Sequence, residues 1–172
     1  MKIVAIIQAR LSSNRLPGKV LLPVAGEPML ARVYSRVRQA QLIDEIVVAT
    51  TSYPSDLPIL QFCKERSIAC FRGDLYDVLD RYYQAALFAQ ADVIVRITAD
   101  CPMIAPEEID RVIQTFLDSD ADFAANRLPP PFERTTPIGM DCEVCSFKAL
   151  QKAWQQADQP YQREHVMPFL YD

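Results

Sequence analysis

Two apolar rhythms alternate along this chain. Short runs of aliphatic and β-branched residues occur at Ile3–Gln8, Glu45–Thr50, Ile68–Phe71 and Asp92–Thr98, each the length of a buried strand. Shorter stretches near Asp122–Ala125 and Met140–Cys145 read the same way. Between them, apolar residues recur at helical spacing over Pro28–Ala40, Ser55–Arg66, Tyr76–Gln90, Pro106–Asp118 and Ser146–Gln156. Pro28 and Pro106 suit first-turn positions, and Ser55 and Ser146 suit N-caps. In the third helix Tyr76, Leu79, Tyr83, Ala86 and Leu87 form the side expected to be buried. Asp77, Asp80, Arg81 and Gln84 share its polar face. Strands that alternate with helices predict parallel βαβ units, with the sheet covered on both faces. The expectation is one α/β domain over residues 1–172. Arg127–Pro137 carries three consecutive prolines, cannot form a regular element, and reads as a long loop of the kind that serves as a lid.

Composition adds exclusions. Half of the 172 residues are hydrophobic and 23% are charged, which argues against disorder. No apolar run reaches the 18 residues of a membrane span, and the five apolar residues after Lys2 are too few for a signal peptide. A soluble, cytoplasmic protein is expected, with a homodimer left open. Five cysteines are an odd number and do not make a secreted disulfide framework. Cys142 and Cys145 form a C-x-x-C, but on a strand residues three apart face opposite sides, so the pair reads as buried thiols.

The net charge of −4 conceals an asymmetry. Residues 1–40 hold seven basic side chains and one acidic, whereas the remainder holds 11 basic and 21 acidic. Overall acidity argues against nucleic acid as a partner, while a local basic end suits a small polyanion. That end includes the loop after the first strand, where Arg10, Arg15 and Lys19 are separated by hydroxyl and amide side chains. It is neither a P-loop nor a dinucleotide fingerprint, since no glycine pattern of either kind exists. It reads either as a cradle for a triphosphate or as a solvated basic loop. Asp100, at the end of the fourth apolar strand, reads as a ligand for Mg²⁺ shared with phosphates. Its alternatives are a cap for the helix near Pro106 or a partner for Arg96.

The loop Ala9–Lys19 is similar to the A-R-x-G-S-x-R-[LF]-P-G-K signature of cytidylyltransferases that activate acidic sugars. These include the CMP-3-deoxy-manno-octulosonate and acylneuraminate enzymes. The chain resembles most closely the spore-coat polysaccharide type. Arg72–Tyr82 resembles R-G-x-x-x-D-V-L-D-R-Y, Val95–Pro102 resembles V-R-I-T-G-D-C-P, Gly139–Val144 resembles G-x-D-x-E-V, and Arg163–Pro168 resembles R-E-H-V-T-P. The matches occur in order and span nearly the whole chain.

The resemblance implies a Rossmann-like three-layer sandwich of the nucleotide-diphospho-sugar transferase type, with a mostly parallel sheet. It implies transfer of CMP from CTP to a sugar, with loss of pyrophosphate, for surface polysaccharide or glycan synthesis. On the matching positions Arg10, Ser13, Arg15 and Lys19, beside Ala9, would hold the triphosphate, and Asp100 would hold Mg²⁺. Asp77, Asp80 and Arg81 would border the nucleotide, the alternative being a solvated helix face with an Asp–Arg pair. Asp141 and Glu143, sharing one strand face, would contact the sugar together with Arg163 and His165. The alternative for the lone histidine is a structural partnership with Glu164 or a backbone carbonyl. Ser12 and Ala99 stand where the family pattern has glycine. A V-D-T-P-E-D-like segment of the family, with a further metal-binding Asp, is not among the 172 residues. The competing expectations are a nucleotide-binding module of the same fold without catalysis, and a transferase that uses another base.

Overall fold

The computed structural model describes residues 1–13 and 15–172. Asn14, one of the amide side chains expected between the loop's cations, lies outside them. A six-stranded sheet is built from β1 (Ile3–Gln8), β4 (Glu45–Thr51), β5 (Ala69–Gly73), β6 (Val93–Thr98), β7 (Phe123–Ala125) and β8 (Glu143–Ser146). Their order across the sheet is β5-β4-β1-β6-β8-β7. β5, β4, β1 and β6 run parallel, whereas β8 is antiparallel to both β6 and β7. The mostly parallel α/β sheet is therefore as expected.

Among the described residues seven helices flank it: α1 (Met29–Val37), α2 (Leu57–Glu65), α3 (Val78–Phe88), α4 (Pro106–Leu117), α5 (Phe147–Gln156), α6 (Pro160–His165) and α7 (Pro168–Tyr171). Strand alternation sorts the core into two halves. Ile3, Ala5 and Ile7 of β1 meet α1, α2 and α4 on one face. Val4 and Ile6 meet α3, α5 and the α6–α7 corner on the other. Helix α4 presents Ile109, Val112, Ile113 and Phe116, at i, i+3, i+4 and i+7, to the first half. Burial of each such side chain contributes about 1.5–3 kcal/mol. Cys142 falls in the first half and Cys145 in the second, and all five cysteines are free. The pair thus faces opposite sides of the sheet.

Local differences from expectation have local causes. Ser55 does not cap a helix. Pro54–Asp56 forms a 3-10 turn, and α2 starts behind it with Asp56 at its N-cap. Ser146 does cap α5, accepting the Ala149 amide at 3.0 Å. Tyr76 and Leu87 are exposed rather than buried, because α3 starts only at Val78 and Leu87 lies in its last turn. A small hairpin of β2 (Pro23–Val24) and β3 (Glu27–Pro28) turns through Ala25 and Gly26, both at positive φ. Residues 127–137 form no regular element, as their prolines require. Asn126 ties the ends of that loop, accepting the Cys142 amide at 2.9 Å and donating to the Met140 carbonyl at 2.7 Å. Among the described residues no helix is long and apolar enough to cross a membrane.

Candidate active site

The chain proceeds from β1 to β4 and β5 on one side, then returns to β6 on the other. Loops leaving β1 and β6 consequently part, and an open parallel sheet binds ligands in the crevice that results. The β1 loop folds on its own backbone there. The Leu11 carbonyl accepts the amides of Ser13 at 2.8 Å and Gly18 at 2.9 Å. Gly18 has a φ of 72°, which glycine adopts without steric cost, and a 3-10 turn over Lys19–Leu21 follows it.

A cavity of about 430 Å³ fills the crevice, lined by Arg10, Ser13, Arg15 and Lys19 of the loop, by Thr98 at the end of β6 with Ala99 and Asp100 after it, and by His165. The structure thus brings together the cations and the carboxylate that sequence spacing singled out. Among the described residues, Lys19 is the one of the three cations with a carboxylate partner, and that partner is Asp100. Burial favours the neutral form of Asp100, but the Lys19 ammonium and the Thr98 hydroxyl prevail and hold it below its ordinary value. Neither bland alternative for Asp100 is realised. Ala105 occupies the N-cap of α4, and Arg96 pairs with Glu143.

A smaller chamber of about 180 Å³ adjoins this cavity, with Gln8, Ala9, Arg10, Arg81 and Arg96 around it. Arg81 is not on a solvated face; it is 1% exposed. Its Nη1 donates to the Asp74 carbonyl, and its Nε has no partner among the described residues. Burial lowers the Arg81 pKa, and repulsion from Arg10 adds to this against the opposing pull of Tyr82, Asp56 and Asp74. Arg96 Nε and Gln8 Oε1 are likewise buried without a partner. Three of the residues that line the chamber thus carry a buried polar atom without a partner among the described residues.

A third cavity of about 370 Å³ lies over β6 and β8, with Arg96, Arg127, Asp141, Glu143, His165 and Tyr171 in its wall. Asp141 and Glu143 do meet there. Arg134 donates to Asp141 at 2.6 Å, and Arg96 to Glu143. Burial disfavours the Arg96 cation, yet Glu143 outweighs it and raises the Arg96 pKa.

His165 borders all three cavities. The structural partner expected for its imidazole is absent among the described residues. Instead a γ-turn presents it: the Met167 amide donates to the His165 carbonyl at 3.0 Å, around Val166 at φ 75° and ψ −59°. That geometry is strained for a β-branched residue and persists because Val166 and Met167 are both fully buried.

Three expected site residues do not line these cavities. Asp77 caps α3, accepting the Asp80 amide at 2.9 Å, and both its oxygens accept Arg163 Nε at 3.1 Å. Arg163 also donates to the Trp154 carbonyl at 2.7 Å, so the Asp77–Arg163 pair clamps α6 against α3. Asp80 accepts Trp154 Nε1 at 2.9 Å. Conversely, Gln8, Thr98 and Arg127 line the cavities without having been singled out. The available signal for Gln8 and Thr98 was a polar residue ending each of two apolar strands.

No group of three or more His, Cys, Asp or Glu is gathered for a metal among the described residues. Asp100 alone suits Mg²⁺, which commonly uses one or two carboxylates and takes its other oxygens from substrate phosphates and water.

The family model described as cytidylyltransferase matches residues 4–172. An uncharacterized Methanocaldococcus jannaschii protein is 40% identical over 172 residues, covering all of this chain and 68% of that protein. The spore coat polysaccharide biosynthesis protein SpsF of Bacillus subtilis is 32% identical, with 98% of this chain and 72% of SpsF covered. A solved cytidylyltransferase from Leptospira borgpetersenii superimposes with a TM-score of 0.90 at 34% identity, covering 98% of this chain and 70% of that one. A family match over almost every residue, on a fold whose switch point gathers the motif's cations, makes this chain a member of the cytidylyltransferase family, a nucleotidyltransferase.

Proposed function

We propose that the protein transfers CMP from CTP to a hydroxyl of an acidic sugar and releases pyrophosphate. The observation that supports this best is the convergence of Arg10, Ser13, Arg15, Lys19 and Asp100 on one cavity at the switch point. Arg10 and Arg15 offer forked donors to phosphate oxygens, Lys19 a point charge, and Ser13 a hydroxyl. Asp100 would hold Mg²⁺, which when bound neutralises phosphate charge. In the small chamber, the Gln8 amide and the guanidinium groups of Arg81 and Arg96 suit the polar edge of cytosine. In the third cavity Asp141 and Glu143 accept sugar hydroxyls, and Arg127 suits a sugar carboxylate. His165 stands between nucleotide and acceptor.

The chemistry is mainly positioning. The sugar hydroxyl oxygen bonds to the α-phosphorus and its proton passes to solvent water, while the bond from that phosphorus to the bridging oxygen breaks and pyrophosphate leaves with the electron pair. The loop cations stabilise the charge that develops on the leaving group. The test is a pyrophosphate-release assay with CTP, Mg²⁺ and a 2-keto-3-deoxy sugar acid. Release that needs both CTP and the acid is expected. Tight CTP binding without release from any acidic sugar would favour a binding module instead.

A further inference from the structure

Asp56 is fully buried and belongs to none of the three cavities. It occupies the N-cap of α2, where an aspartate ordinarily accepts an amide of the helix's own first turn. No such bond forms here, and Pro58 at the second helical position has no N–H to offer. The carboxylate is spent elsewhere. Oδ1 accepts the Leu11 amide at 2.7 Å, across 45 residues of sequence, and Oδ2 accepts the Thr51 hydroxyl. Leu11 follows Arg10, and its carbonyl is the one that gathers the amides of Ser13 and Gly18. One residue therefore closes both arms of the cationic loop, and its own amide is pinned by Asp56.

We infer that Asp56 is a positioning residue for triphosphate binding, acting through Leu11 on Arg10, Arg15 and Lys19. The inference rests on the proposed nucleotide site. The carboxylate is buried at the N-cap of α2 and tied to Thr51 at the end of β4, whereas the loop contains no long regular element. Without that anchor the loop keeps its cations and loses their common aim. Misaiming one cation forfeits a hydrogen bond to a charged group, a loss of roughly 10- to 100-fold in affinity.

The test uses calorimetric titration of the full chain with inorganic tripolyphosphate and, separately, with cytidine. Asp56→Ala is expected to weaken tripolyphosphate about 10- to 100-fold and cytidine far less. Asp56→Asn, which keeps an oxygen for the Leu11 amide, is expected to restore most of the loss. Hydrogen exchange at Leu11 and Gly18 should accelerate in Asp56→Ala and not in Asp56→Asn. A role confined to stability would move both ligands together or neither. If Asp56→Ala does not fold, Thr51→Val removes the second bond, and the same selective loss in smaller measure is expected. Parent protein that fails to bind tripolyphosphate overturns the nucleotide site itself. Parent that binds it, with Asp56→Ala or Thr51→Val binding equally well, overturns the role of Asp56 alone.

Discussion

The cavity over β1 and the cavity over β8 are both rich in arginine, yet they treat their charges in opposite ways. Around the first, Arg10 and Arg15 stand without carboxylate partners among the described residues, and Lys19 holds a single one. Around the second, Arg96 is tied to Glu143 and Arg134 to Asp141, with Arg127 left over. An unpaired cluster raises its own electrostatic cost until an anion arrives, so it suits a highly charged ligand. Paired charges fix the direction of hydrogen-bonding groups at near-neutral local charge, which suits hydroxyls and one carboxylate. The difference separates a region built for affinity from one built for orientation.

The sharpest break in that comparison is the Arg96–Glu143 pair. Its side chains keep only 16% and 15% exposure. Removing one member of a buried pair leaves the other charge uncompensated, at a cost of about 3–5 kcal/mol. Glu143→Gln is expected to lower stability by about 3 kcal/mol, the low end, because some solvent still reaches both groups. Chemical denaturation of parent and variant checks it. A change within experimental error would show that the second cavity does not depend on pairing for its shape.

A smaller loss is expected on the other side, in affinity rather than stability. Arg15→Ala and Lys19→Ala should each weaken CTP by about 1.5–3 kcal/mol, the range for hydrogen bonds to charged groups. CMP, without the outer phosphates, should be affected less. The denaturation midpoint of Arg15→Ala should hardly move, whereas Lys19→Ala loses the Asp100 pair, worth at most about 1 kcal/mol. Equal losses for CTP and CMP in calorimetric titrations would place these cations away from the β- and γ-phosphates.

This division was only half legible in the sequence. Apolar runs such as Ile3–Gln8 and Val93–Thr98 announce central strands because burial on both faces leaves no polar position to blur them. The cationic loop was legible because its side chains come from one continuous segment. The paired cavity was legible only through the motif resemblance, which singled out Asp141, Glu143 and His165, whereas Arg96 and Arg127 join them only through β6, β8 and the loop after β7. Arg81 was legible through the motif resemblance and not through periodicity, which left a solvated face open. Its helical face is polar by periodicity, but the first turns of α3 look into the chamber beside Gln8 and Arg10 rather than into solvent. Helices α6 and α7, of six and four residues, are too short to carry a period.

The gentlest perturbation bears on the residue that links the two treatments of charge. Asp100 is the one acid in the cationic cavity among the described residues, and it already has a partner in Lys19. A triphosphate that calls on Lys19 must therefore break this pair, and Asp100 is then an uncompensated charge facing phosphates unless a divalent cation joins it. Two opposite effects follow for Asp100→Asn. Without metal, CTP should bind more tightly than in the parent, by about 1 kcal/mol, the upper value for a partly exposed pair. With Mg²⁺, the further gain seen in the parent should vanish. Acid should act in the same direction as the substitution. The Asp100 pKa is depressed in the folded protein, so the pair's contribution to stability is complete above the usual carboxylate value of about 3.9 and disappears as pH falls through the lower folded value. Titrations with CTP in chelator and in Mg²⁺, on parent and variant, check both effects at neutral pH. Weaker metal-free binding by Asp100→Asn would mean that Asp100 aims Lys19 at the phosphates rather than withholding it from them.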